Sequence, residues 1–365
     1  MSGRGGLAVR GMIETLRLGD EAGLAPTVAG ARTGWLGAAG YWLFCCWLVS
    51  PRRRNLLPGA LALALLAAPV ASGWLERGVE VRLLDVGQGQ AVLVRGPDGG
   101  RTLIDGGGFP GDFDVGEALV APALLADRSP RLQRVLLSHP QVDHGGGLAW
   151  VAEHFDPELF ASTGQTSDTR FMERLESALK SGGISTRRLR AGDKLDLGRG
   201  LRLEALHPAA LTGDLNADSL VLRLLWNGRS LALLPGDVEG EGLKTLLRRE
   251  ANLSAELLVL PHHGSDNSLS PALYDRADPR VAAASCGYLG RFDFPGPKVR
   301  AAMARRGVPL LTTASRGELA FRWQAPDAPL EIRTRLPAPF PRDACQIGRV
   351  GLPSRPWFKL SAFSP

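Results

Sequence analysis

The stretch LLSHPQVDHGGGL (136–148) decides how this chain is read. An apolar run ends in His139, and Gln141, Asp143 and His144 follow before three glycines. QRVLLSH (133–139) reads as a strand buried on both faces, so its polar end emerges at one rim of a sheet. The same pattern recurs downstream. LRLEALH (201–207) ends in His207, the run before LLPGD ends at Asp237, and ELLVLPHH (256–263) ends in His262 and His263. Several strands ending at a common rim would gather imidazoles and carboxylates, a donor set suited to Zn²⁺ or Mn²⁺. The remaining histidine, His154, lies within the helical stretch GGLAWVAEHF (146–155) and reads as an ordinary helix-face residue.

Outward from this core, VEVRLLDV (79–86), QAVLVRG (90–96) and RTLIDGG (101–107) read as successive strands. VGEALVAPALLADR (115–128) and EGEGLKTLLRRE (239–250) have helical spacing. SLVLRLLWNGRSLALLPGD (219–237) reads as a hairpin turning at Asn227-Gly228. Antiparallel strands followed by mixed strand–helix units predict an α+β sheet sandwich with helices outside.

The 365 residues allow one domain of roughly 250 residues and something more. Four cysteines, two of them adjacent (Cys45, Cys46), exclude a disulfide scaffold, and 44% apolar content excludes a disordered chain. The net charge of +6 suits a phosphate-rich partner without deciding one. Arg187, Arg188, Arg190, Arg300, Arg305 and Arg306 read first as solvated charges and second as a surface tracking such a backbone. With aromatics at 6%, no stacking stripe is legible.

Two uncharged runs, 33–50 and 56–75, flank a basic turn containing Arg52, Arg53 and Arg54. Each is about the length that crosses a ~30 Å bilayer core. Basic clusters stay on the cytoplasmic side, so this reading predicts two transmembrane helices, a multi-pass chain in the cell membrane and an extracytoplasmic C-terminal domain. The expected divisions are an N-terminal arm (1–32), the two helices (33–75), the sheet-sandwich domain (76–335) and a Pro/Arg-rich tail (336–365), packed loosely or not at all.

DVGQGQA (85–91), LIDGGG (103–108), LSHPQVDHGGGL (137–148), LHP (206–208), NADSLVLRL (216–224), LLPGDVEGEGL (233–243) and LVLPHHGS (258–265) together resemble the metallo-β-lactamase superfamily. Within it they most resemble the C-terminal domain of the DNA-internalisation competence channel family (ComEC-type). The resemblance covers about residues 79–325 and does not extend to that family's long polytopic channel region. It implies an αββα sandwich, two divalent metal ions (Zn or Mn) and metal-assisted hydrolysis of a DNA phosphodiester, on a single strand or an incoming duplex. A membrane setting and a polytopic DNA channel subunit as partner are implied with it.

By the same resemblance His139 and His207 hold one metal, Asp143, His144 and His263 hold the second, and Asp237 bridges them. His262 then faces substrate, with Asp143 and His262 the catalytic pair, while Asp85, Asp105 and Gln141 stand behind the ligands. Three positions depart from the family pattern. Gln141 replaces a His or Asp ligand, Gln90 stands where an Asp often closes the first motif, and GYLGRFDFPGP (287–297) lacks the usual Asn and His. The rival expectations are a metallohydrolase of another ester (phosphorylcholine ester, lactone or thioester) and a degenerate binding subunit of a DNA channel.

Overall fold

The computed structural model describes residues 35–50, 55–75, 78–125, 132–250, 252–288, 292–336 and 360–362. Strands β1 (Val79–Leu83), β2 (Val92–Arg95), β3 (Arg101–Ile104), β4 (Arg134–Leu137), β5 (Leu159–Ser162) and β6 (Ser185–Arg188) begin one sheet. A second sheet contains β7 (Lys194–Gly198), β8 (Leu201–His207), β9 (Val221–Trp226), β10 (Arg229–Leu234), β11 (Leu257–Val259), β12 (Val281–Ala284) and β13 (Leu310–Thr312). The chain then returns to the first sheet as β14 (Leu319–Trp323), β15 (Glu331–Thr334) and β16 (Leu360–Ala362). The orders are β16-β15-β14-β1-β2-β3-β4-β5-β6 and β13-β12-β11-β10-β9-β8-β7.

Alternation along the strands explains the layers. Val92, Val94, Ile104 and Leu136 from one sheet meet Leu203, Leu222, Leu257 and Val259 from the other in the central core. Their neighbours Leu93, Leu103, Val135 and Leu137 face outward under Leu148, Val151, Leu175 and Leu179, which lie on helices Leu148–Phe155 and Arg170–Ser181. On the far side Leu233, Leu258 and Ala282 carry Leu246, Leu273 and Met303, again on helices. Two sheets between two helical layers is the expected αββα order.

Each sheet changes from antiparallel to parallel pairing part-way across: β3 to β6 run parallel, as do β10 to β13. Parallel strands need crossover connections, so their carboxyl ends share one rim, where ligands of open α/β sheets bind. The hairpin between β9 and β10 turns at Asn227 and Gly228, both at positive φ, as read from the sequence.

Helices α1 (Trp35–Val49) and α2 (Leu57–Leu75) occupy the two uncharged runs. They pack closely where glycine permits: a Cβ on Gly40 would come within 2.9 Å of the Ala62 carbonyl oxygen. Trp35, Trp42, Leu57 and Leu61 are exposed. Among the described residues no helix is long and apolar enough to cross a membrane, so the two expected transmembrane helices are not found as such. The 15 residues of α1 span roughly 22 Å, short of a ~30 Å bilayer core. The Arg52–Arg54 turn and the 1–32 arm lie outside the described residues. Of the tail, residues 360–362 form β16, which pairs in parallel with β15.

Candidate metal centre

The rim collects its side chains from both sheets. Asp105 directly follows β3, and Ser138 and His139 follow β4. Asp143 and His144 lie in the short helix Val142–Gly145. From the second sheet come Asp237 after β10, His262 and His263 after β11, and Ser285 after β12. One donor atom each from Asp143, His144, Asp237 and His263 lies within 4.8 Å of the others. The His144 and His263 Nε2 atoms are 3.3 Å apart, and Asp237 Oδ1 is 3.1 Å from the former. Asp237 Oδ2 is 3.4 Å from His263 Nε2, and Asp143 Oδ2 is 3.5 Å from it.

The opposite edges of these imidazoles are fixed by other groups. Asp105 Oδ2 lies 2.8 Å from His144 Nδ1, and His263 Nδ1 donates to the Ser285 carbonyl at 3.0 Å. Each ring therefore turns Nε2 toward the centre, as a metal-binding tautomer requires. Asp105 is fully buried and accepts from Ser138 N, Ser138 Oγ and Gln90 Nε2 as well. It stands in the left-handed region at φ 61°, as do His262 (50°) and His263 (55°). Consecutive non-glycine residues there are uncommon and cluster at functional sites. Gly89 permits a close approach of another kind: at φ 102°, a Cβ would fall 2.1 Å from the Asp143 carbonyl oxygen.

The buried polar atoms fit a cation. The Asp237 carboxylate oxygens face only the His144 and His263 Nε2 atoms, and His139 Nε2 and His207 Nδ1 are buried without a hydrogen-bond partner. Such atoms carry a full desolvation penalty unless something positive meets them. Burial pulls the Asp237 carboxyl up, but the charges of His144 and His263 outweigh it and hold it well below its usual range. Burial likewise presses His263 down, yet Asp237 and Asp143 carry it to about 9. The pocket favours positive charge. His139 differs: burial, with the charge of His144, lowers it to about 4, leaving a neutral donor.

Other expected residues lie differently. His139 lies tilted against His144, ring centroids 4.2 Å apart, but is not among the four convergent donors. His207 is also outside that set: its Nε2 donates to the Ala217 carbonyl at 2.8 Å. Gln141 Nε2 donates to Asn216 Oδ1 at 2.7 Å. His262 reaches Asp237 at 3.8 Å, and its Nδ1 lies 2.8 Å from Glu239 Oε2. Asp85, expected behind the ligands, is exposed; its carboxylate accepts from the Gly87 amide, and among the described contacts none joins it to the four. His154 stacks on Trp150 and bonds its carbonyl, away from the centre.

Sequence reasoning passed over Ser138, Asn216, Glu239 and the Ser285 carbonyl. Their signal lay in adjacency: Ser138 precedes His139, and Glu239 follows Asp237 by two residues. Phe109 and Phe113 stack at 5.6 Å, and Phe292 and Phe294 at 5.2 Å, with Phe294 lying 6.0 Å from the His263 ring. Each pair is built from residues two or four apart across a turn, so no run appears in sequence.

Residues 84–170 match the metallo-beta-lactamase superfamily model. The chain carries a metallo-β-lactamase fold. This metallo-β-lactamase-type chain is 29% identical over 259 residues to ComE operon protein 3 of Bacillus subtilis, covering 67% of this chain and 33% of that one. It is also 29% identical over 281 residues to competence protein ComA of Neisseria gonorrhoeae, covering 75% and 37%. The chain thus spans about a third of the length of these curated relatives, both homologues within the ComEC family. Among solved structures, the metallo hydrolase Igni18 of Ignicoccus hospitalis KIN4/I aligns at 14% identity, covering 64% of this chain and 94% of that one, with a TM-score of 0.42.

Proposed function

We propose that this chain is a metal-dependent phosphodiesterase acting on single-stranded DNA during uptake. The observation that carries this reading is the four-donor cluster with its buried Asp237 carboxylate, set beside exposed stacked phenylalanines. A divalent cation held by Asp143, His144, Asp237 and His263 supplies Lewis acidity toward a phosphoryl oxygen and toward water. Asp105 and the Ser285 carbonyl hold the imidazoles that would receive it. His262, part-exposed and fixed through Nδ1 by Glu239, presents Nε2 on the open side of Asp237, where it can give a proton to a departing oxygen.

The loop 85–90 lies between the two aromatic pairs. The Phe109 ring sits beside Gly87, and Gln88 Oε1 accepts from the Gly287 amide on the loop that leads to Phe292. Phe113 and Phe292 are each about half exposed. Bases of an unpaired strand stack on such rings at about 1–3 kcal/mol each, whereas paired bases keep their faces covered. The names of the two competence relatives favour uptake as the setting. The exposed apolar faces of α1 and α2 suit attachment to a membrane, with the metal centre outside the cytoplasm if the Arg52–Arg54 turn stays inside.

The test is hydrolysis by the metal-loaded chain of single-stranded DNA, duplex DNA, a phosphorylcholine ester, a lactone and a thioester. Cleavage of the single strand, lost in Asp143→Ala, is expected. Metal binding with turnover of only a non-phosphate ester overturns the substrate, and metal binding with no turnover favours a binding subunit.

A further inference from the structure

The resemblance calls for two cations, yet the donors present divide unequally. One set is complete: Asp143, His144, Asp237 and His263 converge within 4.8 Å. The other would need His139, the side chain at 141 and His207, sharing Asp237. Of these, Gln141 has turned its amide nitrogen to Asn216 Oδ1 at 2.7 Å. The His207 ring is fixed by the 2.8 Å bond from Nε2 to the Ala217 carbonyl. A catalytic centre keeps about three protein ligands. That side offers His139 Nε2 and His207 Nδ1, both buried and unpartnered, and a carboxylate already used by the complete set, but among the described residues neither imidazole belongs to a group of donors converging within 4.8 Å. Two close dications also repel strongly, and a neutral amide in place of a carboxylate or imidazole leaves that repulsion poorly offset.

What Gln141 does instead is visible. Asn216 passes the contact on, its Nδ2 donating to Glu239 Oε1 at 3.1 Å, and Glu239 Oε2 lies 2.8 Å from His262 Nδ1. A hydrogen-bonded chain thus runs from position 141 to the imidazole that faces substrate.

We infer that this chain holds one divalent cation, in the set Asp143, His144, Asp237 and His263, and that Gln141 is a positioning residue anchoring Asn216, Glu239 and His262 rather than a ligand. The inference rests on the metal-centre reading above, and its test separates the two. The full chain is dialysed to equilibrium against micromolar free Zn²⁺, and in parallel Mn²⁺, and bound metal per chain is measured by inductively coupled plasma mass spectrometry. One cation per chain is expected for the native protein and for Gln141→Ala, since an anchor can be removed without removing a ligand. Two are expected for Gln141→His or Gln141→Asp, which restore a donor beside His139; circular dichroism establishes that each variant is folded. No bound cation in the native chain sinks the metal-centre reading itself. Two in the native chain overturn the count alone. Loss of the single cation in folded Gln141→Ala makes Gln141 a ligand and overturns its role as anchor. Folded Gln141→His and Gln141→Asp that both stay at one overturn the claim that position 141 denies the second site.

Discussion

Asp105 gathers more of the centre than any ligand does. It holds Ser138 through two bonds, Gln90 through one and the His144 ring through another. An amide in its place cannot accept from all four, and the His144 ring loses its fixed edge. Asp105→Asn is expected to weaken Zn²⁺ binding by about 10–100-fold while the fold persists, read by competition with a chromophoric chelator. A second residue-scale prediction concerns acid. Burial raises the Glu204 carboxyl, but hydrogen bonds from Arg223 and Arg202 outweigh it and set it below the usual range. Its contribution to stability is therefore present above the unfolded value, near ~4.3, and is lost as pH falls through the lower folded value. Urea midpoints of Glu204→Gln should converge on those of the native chain in acid and fall below them at neutral pH. A constant gap would refute the assignment.

The strands were readable because burial on both faces leaves a continuous apolar run, and because polar side chains at their ends had no other place to go. RVLL and ELLVLP declared themselves in this way. The turn after β11 could be placed but not shaped: nothing in PHHG announces two left-handed imidazoles, since that geometry is imposed by packing around them. His207 was placed at its strand end, but nothing in the sequence says which ring nitrogen is spoken for: Nε2 bonds the Ala217 carbonyl, and Nδ1 is buried without a partner, outside the four convergent donors. The α1 and α2 runs were recognised as helices, but composition does not fix where a helix stops, and α1 ends after 15 residues. Within the elements themselves, Leu136 on β4 is fully buried in the core between the sheets. Leu136→Ala should cost about 2–5 kcal/mol by denaturant unfolding, and it should loosen the His139–His144 turn that β4 carries. A loss under 1 kcal/mol would mean that this core is not packed as described.

Across the whole molecule the four candidate ligands come in equal shares from the two sheets. Asp143 and His144 follow β4 of one, and Asp237 and His263 follow strands of the other. A bound cation is a cross-link between layers otherwise joined by apolar contact and chain connections. Saturating Zn²⁺ at about one hundred times its Kd should add about 2.7 kcal/mol to stability. The gain should vanish in Asp237→Ala, measured as thermal midpoints with and without chelator. An ion bound there would act as a rivet through both plates, so mechanical opening of the sandwich would also take the ion's site apart. A molecule pried apart at this seam would be disarmed before it unravelled.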